Sequence, residues 1–392
     1  MKITRVETFV VKIPHHDRFG GQVTPPKTFP GSGYYFEEEW NEAYADRVQT
    51  LLIRVETDDG LYGWGESQAP IVPEAARDLI DHLLGPMLMG SDPRQTNVLW
   101  ERMYKSMHVR GQITGFMIDA ISGLDTALWD LKGKAAGEPV SRLLGGPFCD
   151  RLPAYISGLR APTMEARAEL AQKYFDEGYP AIKLFLGRGV EEDIANARSV
   201  RERVGEGKRL LTDMFWMYTL PEAERLGRAL EDLGIEWIEA PMPPEDVPGH
   251  ARLAEALEVA VAVGEPLRTR YQFREWIERR ALDIAQPDVA RCGITEGKRI
   301  ADLAATYHLP VAYHVGVCLG VAMAATWHLA AATPNFYIQE HEPPMFDLAN
   351  RLFKEPLRVE GGHAVVPEGP GLGVDIDVET LRQWTTQEGD RA

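Results

Sequence analysis

Cysteine is scarce in this chain of 392 residues, which has three, Cys149, Cys292 and Cys318, and no CxxC pair. An odd number at wide spacing excludes a disulfide framework and favours a reducing compartment. The sequence also lacks a run of about 18 apolar residues, the length of a membrane-spanning helix, and its N-terminus shows no signal-peptide pattern. We therefore expect a cytoplasmic protein with no membrane partner.

Positive charge is also in short supply. Lys and Arg number 42 against 59 Asp and Glu, for a net charge of −17. This balance excludes the extended basic surfaces with which proteins bind nucleic acid or anionic membranes. It leaves open a small anionic substrate, because a bound metal ion reverses the local electric field.

What the sequence has is a series of short apolar segments that end in an acid or a histidine. Their separations are 26, 26, 23, 26 and 26 residues, about the length of a strand, a loop and a helix. In a (β/α)₈ barrel, the C-terminal ends of the strands form the catalytic face. The pattern therefore predicts repeated βα units that each place one functional side chain there: Asp213, Glu239, Glu265, Asp288, His314 and Glu340.

The region before this series has a different organisation. Residues 1–145 combine strand-like runs with three stretches of helical periodicity, which predicts an α+β domain. Within it, residues 15–47 are rich in Gly, Pro and aromatics. Irregular segments of this length are usually functional, so we expect a lid loop over a site.

Residues 146–345 alternate eight strand-like runs, apolar on both faces, with seven helical stretches. Strands that are apolar on both faces are typical of parallel sheets covered by helices. The predicted fold class is therefore α/β, with a modified, TIM-like (β/α)₈ barrel. Residues 346–392 are too few for another domain, and we expect this tail to pack back on the α+β domain.

Asp213, Glu239 and Glu265 end three successive predicted strands. Neighbouring strands lie about 5 Å apart, so the three carboxylates should converge, and they cannot all stay ionised without a cation. Oxygen ligands with incomplete protein coordination are typical of Mg²⁺. In the alternative interpretation, one acid caps the next helix and another pairs with an arginine.

Asp288 and His314 end the next two strands and predict a general-base pair, because a carboxylate beside an imidazole sets its tautomer and raises its basicity. The alternative is a histidine satisfied in the core. Lys183, in the second unit, would reach a substrate carboxylate, unless its ammonium is exposed at the rim. Glu340 would hydrogen-bond that carboxylate if protonated, or pair with Lys183. Such a set suits removal of an α-proton and stabilisation of an enediolate.

The segments LLTDMF, WIEAP, VAVGEP, QPDVARCGITEG, YHVG and IQEHEP occur in this order, after GLDTALWDLKGKAAGEPVSRLLGG. Together they resemble the enolase superfamily, in its mandelate racemase-like subgroup, over nearly the whole chain. The resemblance implies one Mg²⁺ per subunit on Asp213, Glu239 and Glu265, the Asp288–His314 dyad, and Glu340 as the hydrogen-bonding acid. It also implies a capping domain that closes the barrel mouth and selects the substrate, and a homo-oligomer.

Two departures from the family pattern bear on the reaction. Mandelate racemase-like enzymes often carry Lys-x-Lys on the second strand, with a second base on the opposite face of the substrate; here Phe185 follows Lys183. Phe215 stands where some relatives carry an Asn or His. With one base, the sequence predicts a dehydratase (hydro-lyase) that converts an acid sugar, an aldonate or aldarate, to a 2-keto-3-deoxy acid. The alternatives are an epimerase or lactone cycloisomerase, or an inactive protein that binds metal or sugar acid.

Four residues are candidates for substrate contacts beyond this chemistry. Tyr34 lies in the segment predicted as a lid, and Trp216 and Tyr218 follow the first metal ligand, where the alternative is packing at the start of a helix. His341 follows Glu340. We expect these side chains to line the pocket.

Overall fold

The N-terminal part of the protein is built on an antiparallel sheet. The structure, a computed structural model, describes residues 1–14 and 27–385. Five strands come first: β1 Ile3–Pro14, β2 Tyr34–Glu37, β3 Glu42–Ala45, β4 Arg47–Thr57 and β5 Tyr62–Ser67. β1, β4 and β5 form one sheet in that order, and β2 pairs with β3 in a separate hairpin.

The β2–β3 hairpin occupies part of the segment for which we expected a lid loop. Tyr35 and Tyr44 face each other across the two strands, with ring centroids 6.0 Å apart. Cross-strand aromatic pairs stabilise hairpins, so the aromatics of this segment favour strands over an irregular loop. Residues 15–26 of the expected lid lie outside the described residues.

Helices follow the sheet. They are α1 Pro73–Leu79, continued by a π-helical turn, α2 Gly85–Leu88, α3 Thr96–Lys105, α4 Phe116–Ala136 and α5 Val140–Leu143. α4 is buried along most of its length, because it packs between the sheet and the barrel. Its approach to β5 requires glycine, since a Cβ on Gly65 would lie 1.9 Å from the carbonyl oxygen of Gly123.

The larger part is a parallel barrel, which confirms the predicted fold class. Its strands are β6 Arg151–Ser157, β7 Ala181–Phe185, β8 Arg209–Asp213, β9 Ile235–Glu239, β10 Ala260–Val263, β11 Ile284–Ala285 and β12 Gln339–His341. A further strand position, around Val311, is held by single parallel bridges to Ala285 and Phe336. β12 pairs with β6 and so closes a ring of eight strand positions.

Seven helices connect these strands on the outside. They are α6 Met164–Asp176, α7 Val190–Val204, α8 Leu220–Asp232, α9 Val247–Ala256, α10 Arg270–Glu278, α11 Val289–Thr306 and α12 Val321–Ala331. Nowhere in residues 1–14 and 27–385 is a helix long and apolar enough to cross a membrane.

Inside the barrel, the side chains lie in layers. The lower layer is a closed apolar cluster that includes Tyr155, Leu211 and Trp237. Because strand side chains alternate, the residues two positions further along face inward again. This second layer contains Ser157, Lys183, Asp213, Glu239, Gln286, His314 and Glu340, all of them polar. The barrel therefore places a polar layer at its C-terminal mouth, above an apolar plug.

The C-terminal segment contacts both parts of the protein. After α13 Pro343–Asn350, the strands β13 Arg358–Glu360 and β14 His363–Val365 form a hairpin, and β14 pairs antiparallel with β6 of the barrel. The last helix, α14 Val378–Trp384, packs on β1. The tail thus packs on the N-terminal domain, as expected, and also extends the barrel sheet. The bounds predicted for the domains stay a prediction.

Candidate active site

A cavity of about 690 Å³ lies between the N-terminal domain and the barrel mouth. The β2–β3 hairpin and residues 68–71 line one side of it, and the strand ends of the barrel line the other. Clefts at the C-terminal face of such barrels are the usual position of their active sites. Most residues of the polar barrel layer border this cavity.

Lys183 is the central cation of the polar layer. Its Nζ lies 2.8 Å from Glu239 Oε1, 2.9 Å from Glu340 Oε1 and 3.5 Å from Asp213 Oδ2. Burial by itself lowers the pKa of Lys183, but Glu239 and Glu340 raise it well above its usual range. The side chain therefore remains an ammonium ion although it is only 1% exposed.

The three acids predicted to bind metal lie at neighbouring strand ends, and each has a partner within the chain. Asp213 accepts a hydrogen bond from the amide of Phe215, and Glu239 Oε2 accepts one from Gln286 Nε2 at 2.7 Å. Glu265 Oε1 lies 3.1 Å from an amino group of Arg291. Each of these partners holds its carboxylate in place.

With the side chains in these positions, no three His, Cys, Asp or Glu residues among those described are arranged as a metal-binding group. The chemistry of Asp213, Glu239 and Glu265 nevertheless suits a hard divalent cation, because they offer only oxygen atoms from adjacent strands. Negative charge is also in excess here: burial and the charge of Glu239 raise the pKa of Asp213 well above its usual range. A cation would relieve this repulsion.

The predicted dyad is present as a direct contact. His314 Nδ1 lies 2.8 Å from Asp288 Oδ2, and Asp288 Oδ1 accepts a hydrogen bond from the amide of Ala290. The carboxylate therefore orients the ring and directs Nε2 toward the cavity, 3.9 Å from Glu265 and 4.0 Å from Glu340. Burial lowers the pKa of His314, but the neighbouring carboxylates outweigh it and raise the pKa to about 10.

Glu340 is the anionic partner of Lys183. It accepts hydrogen bonds from Ser157 Oγ at 2.6 Å and from the amide of Val315 at 2.7 Å. Burial raises the pKa of Glu340, yet Lys183, His314 and these hydrogen bonds together bring it to about 2. Of the two alternatives from the sequence, the structure thus favours the ion pair over the protonated acid.

Of the four residues expected in the pocket, Trp216 lines the cavity, and Tyr34, Tyr218 and His341 do not. The hydroxyl of Tyr34 donates to Gln49 Oε1 at 3.2 Å and accepts from the amide of Val72, so Tyr34 supports Gln49, which does line the cavity.

Tyr218 and His341 are part of the packing around the barrel. The hydroxyl of Tyr218 bonds to Asp193 and accepts from the amide of Gly189, which fastens the loop after β7. His341 stacks on Tyr179 at 5.7 Å, and burial lowers its pKa to about 4, so it is a neutral core residue. The expectation that these two side chains line the pocket was wrong. His341 follows the inward Glu340 on its strand and so faces the outer layer, and the hydroxyl of Tyr218 is held by Asp193 and Gly189.

Several site residues were missed by the sequence analysis. Ser157 and Gln286 could have been found from the sequence. Ser157 occupies an inward position of β6, in register with Lys183. Gln286 occupies an inward position after β11, two residues before Asp288. Arg291 carries no such signal; it lies beside Glu265 and bonds to Gln68 from the N-terminal domain. Arg291 and Gln68 lie far apart in the chain, so no local sequence pattern predicts their contact.

Comparisons with known proteins agree with this geometry. Residues 166–381 match the family model "Enolase C-terminal domain-like", and residues 44–145 match "Mandelate racemase / muconate lactonizing enzyme, N-terminal domain". The D-galactarolactone cycloisomerase of Agrobacterium fabrum is 36% identical over 86% of this chain and 92% of its own length. The arabinonate dehydratase of Saccharolobus solfataricus is 37% identical over 84% of this chain and 88% of its own.

Solved structures give the same result. A member of the enolase superfamily from Agrobacterium tumefaciens superposes with a TM-score of 0.92 at 31% identity, and covers 98% of this chain and 99% of its own. A racemase from Streptomyces coelicolor with bound magnesium superposes with a TM-score of 0.84 at 28% identity, over 98% of this chain and all of its own.

Proposed function

The chain belongs to the mandelate racemase and muconate lactonizing enzyme family of the enolase superfamily, and we propose that it is a Mg²⁺-dependent hydro-lyase of acid sugars. In this proposal it converts an aldonate or aldarate to a 2-keto-3-deoxy acid. The observation that carries the proposal is the buried Asp288–His314 pair, which faces Lys183 across a group of carboxylates at the barrel mouth. Arabinonate, D-xylonate and D-galactonate dehydratases are among its relatives.

Asp213, Glu239 and Glu265 would hold one Mg²⁺ per subunit. The bound ion would supply Lewis-acid stabilisation for the negative charge that develops on the substrate carboxylate. This assignment is supported by the oxygen-only donor set, by the raised pKa of Asp213, and by the magnesium in the structural neighbour from Streptomyces coelicolor. Enolase-superfamily sites are known to combine a Lys or His base with one or two Mg²⁺ ions.

The chain's own residues perform the proton transfers. Lys183, held by Glu340, donates a hydrogen bond to the substrate carboxylate. A cation bound to Glu265 would offset the carboxylate charge that raises the pKa of His314, so the ring would be neutral before the reaction. His314 Nε2 then removes the proton at C2, and Asp288 keeps the ring in the required orientation and stabilises its charged form. The electron pair of the broken C–H bond forms a double bond between C2 and C3 as the C–O bond at C3 breaks. His314 returns its proton to the departing hydroxide, which leaves as water. The resulting enol then loses its hydroxyl proton and takes up a proton at C3 to give the 2-keto acid.

The residues of the second barrel strand, β7, are consistent with a reaction that uses a single base. Phe185 lines the cavity where a second base would stand in a two-base racemase. A phenyl ring neither removes nor supplies a proton, so inversion at C2 lacks a group on that face. Elimination needs only His314, because the base that takes the α-proton also serves the leaving group.

A lactone cycloisomerase is the second candidate. The α-proton is removed in the same way, but the C–O bond that breaks belongs to a ring, so the product is an isomer and no water is released. A ring oxygen that leaves as a carboxylate needs no proton, which suits a site with one acid–base group. The relative from Agrobacterium fabrum is named for this reaction. A cytoplasmic location and a homo-oligomeric state remain predictions.

A screen of mono- and diacid sugars and their lactones with Mg²⁺ tests the proposal. We expect 2-keto acid from at least one of them, detected as its semicarbazone, and a loss of about 10³- to 10⁴-fold in kcat for His314→Asn. The mass of the product distinguishes the two reactions, because dehydration lowers it by one water and isomerisation leaves it unchanged. Absence of keto acid across the panel, or an unchanged rate in His314→Asn, would contradict the assignment.

A further inference from the structure

Three aromatic side chains from two domains line one wall of the cavity. Trp40, in the turn between β2 and β3, stacks on Phe215 with centroids 4.7 Å apart and planes at 16°. Phe215 meets Phe185 edge to face at 5.1 Å. All three border the cavity. We call Trp40, Phe185 and Phe215 the aromatic wall.

The tip of the β2–β3 hairpin is docked on the barrel, which brings Trp40 into the wall. Trp40 Nε1 donates to the carbonyl oxygen of Leu186 at 3.3 Å, and Glu39 forms an ion pair with Arg188. The barrel loop is close enough that a Cβ on Gly187 would lie 3.4 Å from the indole ring of Trp40. The wall is therefore complete only when the hairpin rests on the loop that follows β7.

The aromatic wall faces the base. Phe185 ends the second strand of the barrel and Phe215 follows the third, whereas His314 ends the seventh of eight strand positions. In a closed ring of eight, these positions lie nearly opposite each other. A substrate that presents the proton α to its carboxylate to His314 Nε2 therefore turns its other face to the wall.

Aromatic faces bind sugars through C–H groups, because the electron-rich ring attracts the weakly positive hydrogens and excludes water. A ring-closed sugar can present several C–H groups on one flat face. An open polyol instead exposes hydroxyl groups in all directions, and those that meet a wall of aromatic carbon lose their hydrogen bonds. The wall thus discriminates by the shape of the substrate.

We propose that the aromatic wall is a specificity surface for ring-closed sugar acids, such as the lactone of a diacid, and that Trp40 is its specificity-determining residue. This inference rests on the proposed function, since it assumes that the base acts on a sugar acid held in this cavity, and of the two candidate reactions it favours the cycloisomerisation of a lactone over the dehydration of an open-chain acid. The aromatic wall distinguishes the ring-closed form of a sugar acid from the open form, and the catalytic groups at the strand ends do not make this distinction.

The test compares matched ligands. Galactarate and glucarate are each paired with their 1,4-lactone, which keeps one free carboxylate, and the Kd of each is measured calorimetrically with Mg²⁺ for the wild type and for Trp40→Leu. We expect the wild type to prefer the lactone in at least one pair. Trp40→Leu should weaken lactone binding about tenfold or more and change open-chain binding less than about twofold, a range typical of apolar pocket contacts.

Three control variants separate the wall from hairpin docking. Phe36→Leu alters an exposed aromatic of the same hairpin that does not line the cavity, and should leave both affinities unchanged. Glu39→Gln removes the ion pair with Arg188 and should weaken both ligands equally. Trp40→Phe keeps an aromatic face and should retain most of the lactone preference.

Equal losses for the two ligands in Trp40→Leu would overturn the proposal, as would a wild type that binds both forms equally or binds neither. Exchange in D₂O of the proton α to the free carboxylate is followed in parallel. If the wild type shows lactone-selective binding that depends on Trp40 but neither exchange nor keto acid, the proposed function fails and the specificity surface stands. Turnover without dependence on Trp40 would support the proposed function and overturn the specificity surface.

Discussion

Two of the regions in which the protein buries carboxylates hold them in different ways. At the domain seam, which we define by Glu66 and Asp125, the acids accept hydrogen bonds from neutral donors across the two domains. Asp125 accepts from the amide and hydroxyl of Thr295 at 2.7 and 2.6 Å. Glu66 accepts from amides at the start of α12, including that of Ala322 at 3.0 Å. These acids join α4 and β5 to the barrel.

At the barrel mouth, Asp213, Glu239 and Glu340 instead share the cation Lys183. Seam acids accept hydrogen bonds from neutral donors, so they stabilise a fixed arrangement. Mouth acids repel each other and depend on opposite charge, so they can respond to a metal ion and a substrate. Between these two regions, the acids therefore differ in the charge of their partners rather than in burial alone.

The largest effect should come from removal of the shared cation. Lys183→Met leaves buried carboxylates without a counter-charge, so we expect the free energy of unfolding in EDTA to fall by about 3–5 kcal/mol. Urea unfolding measures it. Lys298→Met, which breaks a surface pair with Asp302, is the control and should cost less than about 0.5 kcal/mol. Similar losses in the two variants would show that the mouth depends no more on its cation than the surface does.

The buried carboxyl group of Asp125 in the seam predicts that the stability of the protein depends on pH. Burial raises the pKa of Asp125 from 3.8 to about 7 in the folded protein, although its hydrogen bonds from Thr295 oppose this. Folding thus favours the protonated form of Asp125. The contribution of Asp125 to the stability of the folded protein is fully present below about pH 4 and is lost as the pH rises through about 7. Asp125→Asn removes this titration. Its side-chain oxygen can accept from the amide of Thr295, and its amino group can donate to the hydroxyl of Thr295.

We expect the free energy of unfolding of the wild type, relative to Asp125→Asn, to fall by roughly 2–4 kcal/mol between pH 4 and 8. Denaturation at several pH values measures the difference. A flat or rising difference would contradict the raised pKa. The kcat of Asp125→Asn should stay within about twofold of wild type, because the residue lies outside the cavity.

At the mouth, neutralising an acid should have the opposite effect on stability from removing the cation Lys183. Asp213→Asn relieves repulsion from Glu239, so we expect the metal-free protein to gain about 1 kcal/mol, and the variant to lose the rise in Tm that Mg²⁺ gives the wild type. Differential scanning calorimetry with and without Mg²⁺ reports both. A destabilised metal-free variant would mean that Asp213 belongs with the structural acids.

The smallest effect is expected at Asp193, which lies close to the mouth but, like the seam acids, accepts hydrogen bonds from neutral donors. Asp193 accepts from the amide of Gly187 at 2.7 Å and from the hydroxyl of Tyr218. Tyr218→Phe removes one neutral donor and should cost about 1 kcal/mol of stability with kcat within about twofold of wild type. A large drop in kcat with unchanged stability would return Tyr218 to the substrate pocket, where the sequence had suggested it.

Much of the fold and part of the site could be predicted from the order of residues. The repeat of strand-end acids indicated the barrel, and it named Asp288 and His314, which do make contact. Residues 34–45 were expected to be part of a loop, yet they form a hairpin, because cross-strand contacts between aromatics decide a short strand pair. His341 was misplaced because adjacent strand residues face opposite sides.

By itself, the sequence determined which chemical groups stand at the ends of the barrel strands, because strand and helix periods are local properties. Only the tertiary structure decided how these groups compensate one another: Lys183 lies among three acids, Arg291 beside Glu265, and Trp40 on Phe215. These contacts join residues far apart in the chain, and their geometry depends on how the two domains pack. The capping domain and the barrel therefore acquire a common cavity, and its specificity, only on folding together.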